Sequence, residues 1–489
     1  MASVEEIKEI KKKKVAALRA GGVNPYPETT GDFLTVKEAL AEFASLEKSK
    51  KEISIAGRIM LLRPQGGLAF GQAEDETGRL QVFLNKQNLG EDKFTFFIDN
   101  FEVGDIVKFT GAFFSTKRGE KTIEVRDYKI LTKALRPLPE KWHGLQDVEK
   151  KLRYRYLDLL LDREAREIFY KKAVFWDSAR EFLKGRGFLE VETPAFEAIP
   201  GGAEAEPFIT HYNALDQDLY LRISLELPLK RLLVGGFEKV FEIGRVFRNE
   251  GMDAAHLQDY TALEFYWAYH DLDDLKKMVR EFYQFVIEKT LGGLKHSCGE
   301  TEIDWSGDWP DVDYFDLFEK NVGLDLNDAT DEQLRAKIKD LRLKTDLDIN
   351  KLGRGRMIDL LYKKTCRPGL VKPCFLTGHP LDISPLSKKD AQNPNKVLRI
   401  QPLAGGAELG NGFAELNDPQ DQKERFEAQM KLRESGDKEA QMMDEDFVEA
   451  LEYGMPPAAG FGLSERLFAF IVDKPVRETT LFPAVRKEE

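Results

Sequence analysis

Residues 240–269 read VFEIGRVFRNEGMDAAHLQDYTALEFYWAY, and how this stretch is read decides the fold. Both of its ends alternate apolar and polar side chains with β-branched and aromatic content, and its middle is a polar break with two glycines nearby. That pattern predicts a long antiparallel hairpin. Successive strand residues point to opposite faces, so Tyr260, Glu264 and Tyr266 share one face while Leu263, Phe265 and Trp267 share the other. A strand that sets a carboxylate between two phenols on one face, opposite an apolar face, is not expected to be core on both sides. Glu264 is therefore either solvated or lining a pocket. Arg248, near the end of the first strand, is placed to fork onto a carboxylate or a phosphate. Glu250, a polar loop, His256 and Tyr260 would add an adenine-edge acceptor and a stacking ring. A solvent-exposed ribbon with scattered charges accounts for the same residues, and the stretch alone leaves both readings open.

The motif FRNEG, with the spacing that follows it, resembles the second signature motif of class II aminoacyl-tRNA synthetases. The flanking YLRISLELPLKRLLVGGFEKVFEIGR is similar to lysyl-tRNA synthetases in particular. The resemblance extends over nearly the whole chain. GFLEVETP, with Pro194, is similar to the first class motif, and AGFGLSERL at 459–467 to the third.

The chain has 489 residues, too many for one ordinary core, so two or three domains are expected. It is 42% hydrophobic and 32% charged, as suits a globular protein. No run of about 18 apolar residues and no charged-then-apolar leader is present, so neither a membrane span nor a secretory signal is expected and the cytoplasm is the default. Cys298, Cys366 and Cys374 are too few and wrongly spaced for a disulfide scaffold or a zinc knuckle. A net charge of −12 argues against a general nucleic-acid coat, so a nucleic-acid partner must be held by local basic patches.

One such patch opens the chain. In residues 1–50, a basic N-terminal helical extension, Lys8, Lys11, Lys12, Lys13, Lys14 and Arg19 outnumber Glu5, Glu6 and Glu9. A solvated helix is the plain reading of this run, and a tRNA-backbone contact is what the resemblance implies. Residues 53–131 carry five short alternating runs with Gly-bearing turns, which predict a small barrel of the OB type in a domain spanning 51–135. There Arg63, Phe70, Gln81 and Glu120 match the positions that contact the central anticodon base in lysyl-tRNA synthetases; read without the family, Phe70 is core and Gln81 a surface residue. Residues 136–157, with two prolines and a basic cluster, read as a linker. Residues 158–489 then form the catalytic domain, with a helix over 158–184, an amphipathic helix over 273–290 and a helical insertion at about 291–360.

The resemblance also implies roles. Joining an amino acid to ATP brings together two anions, and Arg248 is the best single candidate to hold both, as the one catalytic side chain. Gly202 and Glu226 would take the α-ammonium of L-lysine, with Asn411 on its carboxylate. Glu264, Tyr266, Phe413 and Glu415 would form the end of the pocket that takes the ε-ammonium. Glu250, His256, Tyr260, Glu408 and Arg466 would hold ATP, with Arg466, after a Gly-rich turn, and Tyr260 sandwiching the base. Mg2+ would sit on Glu408 and on Gln401, which stands where the family has a second glutamate. The hairpin loop reads HLQDY where the family commonly has HNPEF, and the third motif is one residue shorter than usual.

These expectations make an α+β protein: an OB-type barrel, then a class II catalytic domain with an antiparallel sheet flanked by helices. Its function would be ATP-dependent charging of tRNA(Lys) with lysine, as a homodimer. Two rivals stand beside it, a non-catalytic tRNA-binding or regulatory protein and a ligase that attaches lysine or β-lysine to a protein such as elongation factor P. That second family lacks the N-terminal barrel.

Overall fold

The computed structural model describes residues 3–139, 147–251, 256–344 and 349–486. Two compact units divide the chain, residues 1–146 and 147–489. In the first, helix α1 (Val4–Ala20) starts with a capping box: Glu6 N–H donates to the Ser3 hydroxyl and Ser3 N–H to the Glu6 carboxylate. Its basic face is partly spent within the unit. Lys11 is buried and faces Glu102 together with Lys14, while Lys8 and Lys12 pair with Glu5 and Glu9. Lys13 and Arg19 are exposed.

Strands β1 (Ile53–Gln65), β2 (Leu68–Glu74), β3 (Arg79–Asn85), β4 (Ile106–Ser115) and β5 (Lys121–Thr132) close into a barrel in the order β1-β2-β3-β5-β4. Period-two patterning is what fills it, with Ile55, Val82, Leu84, Val107, Phe109, Ile123 and Val125 all inside. Closure removes the free edges that a five-stranded sheet would otherwise expose. Helix α2 (Glu91–Asn100), between β3 and β4, adds Phe94 and Phe97 to the same core.

The linker expected at 136–157 needs correcting. Of it, residues 140–146 lie outside the described residues, and residues 147–157 belong to the second unit. They form the helix Val148–Arg153 and the start of the helix Arg155–Leu161. Asp147 caps the first of these by accepting from Lys150 N–H, and Leu152 is buried, so the basic cluster after Pro137 and Pro139 is the outside of a helix rather than a spacer. The helix expected over 158–184 likewise breaks at Asp162, whose side chain accepts from Glu164 and Ala165 N–H and so starts α3 (Arg163–Gly185).

The rest of the unit is organised around a nine-stranded sheet, with a separate three-stranded sheet formed by Phe196–Glu197, Ile209–Tyr212 and Gln217–Leu221. In chain order its parts are β6 (Leu189–Glu190), α4 (Glu226–Val234), the hairpin β7 (Lys239–Phe247) and β8 (Asp259–Ala268), α5 (Leu272–Leu291), β9 (Asp311–Asp313), β10 (Cys374–Pro380), β11 (Lys396–Ala404), β12 (Asn411–Ala414), β13 (Ala458–Ser464) and α6 (Arg466–Ile471). The spatial order is β9-β10-β11-β12-β13-β8-β7-β6, with the short strand Ala407–Glu408 paired to β11. Pairing is antiparallel except at the two ends, β9 with β10 and β7 with β6. Leu263 and Phe265 of β8 and Phe461 and Leu463 of β13 face α3 and α5, where Phe175, Phe182, Met278, Val279 and Phe282 meet them. The opposite face carries Ala262 and Tyr266 beneath α4, with Leu229 and Leu233 packed on it. The division of β8 into two faces is the one that its alternation predicts.

Two further expectations are corrected. Residues 459–464, taken for a Gly-rich turn, are most of the central strand β13, paired on both sides to β8 and β12. The insertion at 291–360 is mixed rather than helical: it opens with the hairpin Lys295–Cys298 and Thr301–Asp304, and β9 joins the main sheet before the helices Tyr314–Val322, Asp331–Asp340 and Arg354–Leu361.

Candidate active site

The register of the three central strands builds the floor of a cavity. Asn411, Gly462 and Glu264 lie side by side across β12, β13 and β8, and Phe413, Gly460 and Tyr266 form the next row. The glycines clear a trough between flanking side chains. A Cβ on Gly460 would stand 2.2 Å from Glu415 Oε1 and 2.5 Å from the Tyr266 ring, so only glycine leaves this row open. Above the trough is a cavity of about 340 Å³. Every cavity residue singled out in the sequence lines it: Gly202, Glu226, Arg248, Glu250, His256, Tyr260, Glu264, Tyr266, Gln401, Glu408, Asn411, Phe413, Glu415 and Arg466.

At the closed end, Tyr266 OH donates to Glu264 Oε2 at 2.9 Å, and Leu225 N–H, just before α4, donates to Glu264 Oε1 at 2.9 Å. A carboxylate thus stands where the helix dipole favours negative charge. Burial, aided by the nearby Glu226, nonetheless pushes the Glu264 carboxyl up to about 7. Directly across the β7–β8 ladder is Glu242, a like-charged neighbour with a different fate. Arg222 donates to Glu242 Oε1 at 2.7 Å, and the Thr193 hydroxyl donates to Oε2 at 2.7 Å. Glu242 is satisfied; Glu264 has no cation paired to it among the described residues. Gly202 closes the trough at φ +83°, where a Cβ would lie 2.0 Å from Ser224 Oγ.

Lys230 was not anticipated. It is fully buried on α4 one turn after Glu226, donates to Glu226 Oε1 at 2.5 Å and contacts Glu415 Oε2. Burial raises the carboxyls of Glu226 and Glu415, and the Lys230 ammonium opposes it. Glu415 Oε1 is buried and has no hydrogen-bond partner. The sequence did hold a signal for Lys230, its i,i+4 spacing from Glu226. Arg399 was missed as well: from β11 its Nε–H donates to Asn411 Oδ1 at 2.7 Å, which turns the Asn411 amide N–H₂ away from that contact.

At the open end the Arg248 guanidinium lies 5.6 Å from the centre of the Tyr260 ring, and its Nε–H donates to Ile223 O at 3.2 Å. Arg466 begins α6 directly after β13. Glu408, one of the residues expected to hold Mg2+, is 3.3 Å from an Arg367 nitrogen, and Gln401 Oε1 is 3.1 Å from His379 Nε2. Among the described residues no group of three or more His, Cys, Asp or Glu side chains could hold a metal. One carboxylate and one amide fit a hydrated magnesium ion that shares its shell with phosphates, not an all-protein cage.

Comparison with known proteins gives this geometry its place. Residues 147–486 match the family model described as tRNA synthetases class II (D, K and N), and residues 53–131 match that of the OB-fold nucleic acid binding domain. The chain belongs to the class II tRNA synthetase family. The synthetase is 42% identical to a protein of Thermotoga maritima named lysine–tRNA ligase, over 99% of this chain and 97% of the relative. Proteins of the same name from Roseiflexus castenholzii and Thermoanaerobacter pseudethanolicus are 42% and 43% identical over 99% of this chain, covering 100% and 96% of their own lengths.

In the synthetase's barrel, register brings three of the four expected anticodon residues to neighbouring positions. Arg63 on β1 pairs with Phe70 on β2, Phe70 pairs with Phe83 on β3, and Gln81 lies two residues from Phe83 on the same face. The Phe70 and Phe83 rings are 4.8 Å apart and half-buried, a platform on which a flat base can stack. Phe70 is therefore not core. Glu120 is exposed in the β4–β5 turn, held by Thr116 N–H donating to its carbonyl at 3.0 Å.

Proposed function

We infer that this synthetase is a lysine–tRNA ligase that activates L-lysine with ATP to lysyl adenylate and transfers the lysyl group to the 3′ end of tRNA(Lys). The observation that carries the substrate choice is the closed end of the cavity, where Glu226, Glu264 and Glu415 gather around Tyr266 and Phe413 with fewer cations than carboxylates. Closing three carboxylates around a neutral side chain would leave buried charge unpaired, at a penalty of several kcal/mol. A substrate with two ammonium groups removes that penalty.

In the first step a carboxylate oxygen of lysine attacks the α-phosphorus of ATP and pyrophosphate leaves. Arg248 bridges the two anions, and Asn411, oriented by Arg399, donates to the lysine carboxylate. Glu226 and Gly202 take the α-ammonium, and Glu264, Tyr266 and Glu415 the ε-ammonium. The adenine stacks between Tyr260 and Arg466, with Glu250 accepting from its edge and His256 beside the phosphates. No side-chain nucleophile is needed, because holding the reactants in line supplies much of the rate. Magnesium, held by Glu408 with Gln401, would supply positive charge to the phosphates. In the second step the terminal ribose hydroxyl of the tRNA attacks the lysyl carbonyl and AMP leaves.

The barrel would hold the anticodon through Arg63, Phe70, Gln81 and Glu120. The homodimer finds support in Tyr170 and Val174 on α3, Leu189 on β6 and Phe196, apolar side chains that are exposed on the single chain. No described helix is long and apolar enough to cross a membrane, and a role in charging tRNA supports the cytoplasm as the enzyme's location. The test is exchange of pyrophosphate into ATP with each of the twenty amino acids, without tRNA. Exchange with lysine alone is expected. No exchange from a folded protein that still binds tRNA would overturn the reading in favour of a binding protein.

A further inference from the structure

The carboxylates of Glu226, Glu264 and Glu415 line the closed end of the cavity with the buried ammonium of Lys230 behind them, and the ammonium is not placed as in an ordinary ion pair. Lys230 contacts Glu226 and Glu415 at once, and Glu415 Oε1, beside Gly460, lies outside the ion pair and has no hydrogen-bond partner. Its Nζ also lies 5.1 Å from the centre of the Phe413 ring, whose face holds a cation from the remaining side. A structural pair would match one acid with one base. Among these four groups the formal balance is three negative charges against one positive, with the guanidiniums of Arg248 and Arg399 acting on Glu264 and Glu226 from further off.

We propose that Lys230 is a built-in counter-ion that sets the charge at this end of the substrate pocket: it holds Glu226 and Glu415 ionised and in place, so that the group of three carboxylates and one ammonium lacks two positive charges, the number that the two ammonium groups of lysine supply. This rests on the lysine reading above and deepens it, because it makes a residue that need not touch the substrate responsible for counting the substrate's charges. Lys230 is in this sense a positioning residue. Neither oxygen of Glu415 has a hydrogen-bond partner; Oε2 is in ion-pair contact with Lys230, and Oε1 stands beside Gly460 at the trough.

The groups that face this cluster come from every element around it. Glu226 is on α4 itself, Glu264 and Tyr266 are on β8, Glu415 follows β12, Arg399 is on β11 and Arg248 follows β7. With Lys230 in place, Glu264 is the one carboxyl of the three that shares no contact with its ammonium. Binding of lysine then expels at most about one proton, that of Glu264. With Lys230 removed, Glu226 and Glu415 cannot both stay ionised at close range, and one takes up a proton that lysine must also displace.

The experiment is isothermal titration of L-lysine into the full-length enzyme at pH 7 in buffers of different ionisation enthalpy, which counts protons released per site. The wild-type enzyme is expected to release no more than about one. Lys230→Met, and Lys230→Gln as a second variant should the first not fold, is expected to release about one more. The KM for lysine in pyrophosphate exchange should rise roughly tenfold at pH 7 and recover toward pH 9, with the KM for ATP within about twofold of wild type. Release of two or more protons by the wild type overturns the proposal, and that measurement needs no variant. So does a rise in KM with an unchanged proton count, which is what a merely structural role would produce. A wild-type enzyme that binds no lysine while exchanging pyrophosphate with another amino acid would fail the functional reading itself, a result distinct from either.

Discussion

In the cavity, Glu226, Lys230, Tyr266 and Glu415 are all buried and tied to one another by charge; on the barrel, Arg63 and Glu120 are exposed and Phe70 is half-buried. The cavity residues come from strands and a helix far apart in the chain, whereas the barrel positions are set by register between consecutive strands. A buried, charge-linked site strengthens every interaction in it and punishes any loss; a solvated face works by adding small, nearly independent contributions. Single changes in the cavity should therefore be severe and pH-dependent. Those on the barrel should be milder, confined to tRNA, and without effect on the amino acid.

The largest effect is expected from Arg248→Ala, because removing one preorganised group that holds developing charge typically lowers a rate by ~10²–10³-fold. Pyrophosphate exchange at saturating lysine measures it, and a loss below about tenfold would show that another cation bridges the two anions. Glu264→Gln should come next, lowering kcat/KM for lysine by ~10²-fold. This change carries a pH signature. The Glu264 carboxyl titrates at about 7 and an ammonium binds its ionised form, so wild-type kcat/KM for lysine should rise as pH passes upward through that value. In the glutamine variant this acid limb should flatten, and its persistence would assign the limb to another group.

Phe70→Ala tests the other side of the comparison. Loss of one base stack is worth about 1–3 kcal/mol, so the KM for tRNA should rise roughly 5- to 150-fold while tRNA-independent exchange stays unchanged. A change in exchange would mean that the barrel and the cavity are coupled. The smallest effect is expected for Lys13→Ala, about twofold to fivefold in tRNA affinity, with the salt dependence lowered by about one unit of slope. Lys11→Ala should instead lower stability, because Lys11 is buried against Glu102.

The hairpin, the barrel and the membership of the cavity were legible in the sequence because each rests on local periodicity or on a motif. What escaped did so for long-range reasons. β13 reads as a turn because AAGFGLS has the composition of one, yet its glycines serve a strand that must pass beneath Glu415, Tyr266 and Glu264. Lys230 and Arg399 do not stand out in the sequence: beyond the i,i+4 spacing of Lys230 from Glu226, nothing in their own neighbourhoods tells that Glu415 or an asparagine amide will fold against them. Residues 147–157 looked like spacer because composition marks the prolines but not Asp147 as a cap.

The missing Cβ of Gly460 makes the trough a ruler. Its length ends at Glu415 Oε1, 2.2 Å from where a methyl group would stand, so alanine there would displace the far terminus of the scale rather than narrow its sides. A graduated series of diamino acids, each one methylene shorter than the last, would then be measured against a moved mark. On the proposed lysine pocket, an atom absent from one strand would thus set how long a side chain the enzyme accepts.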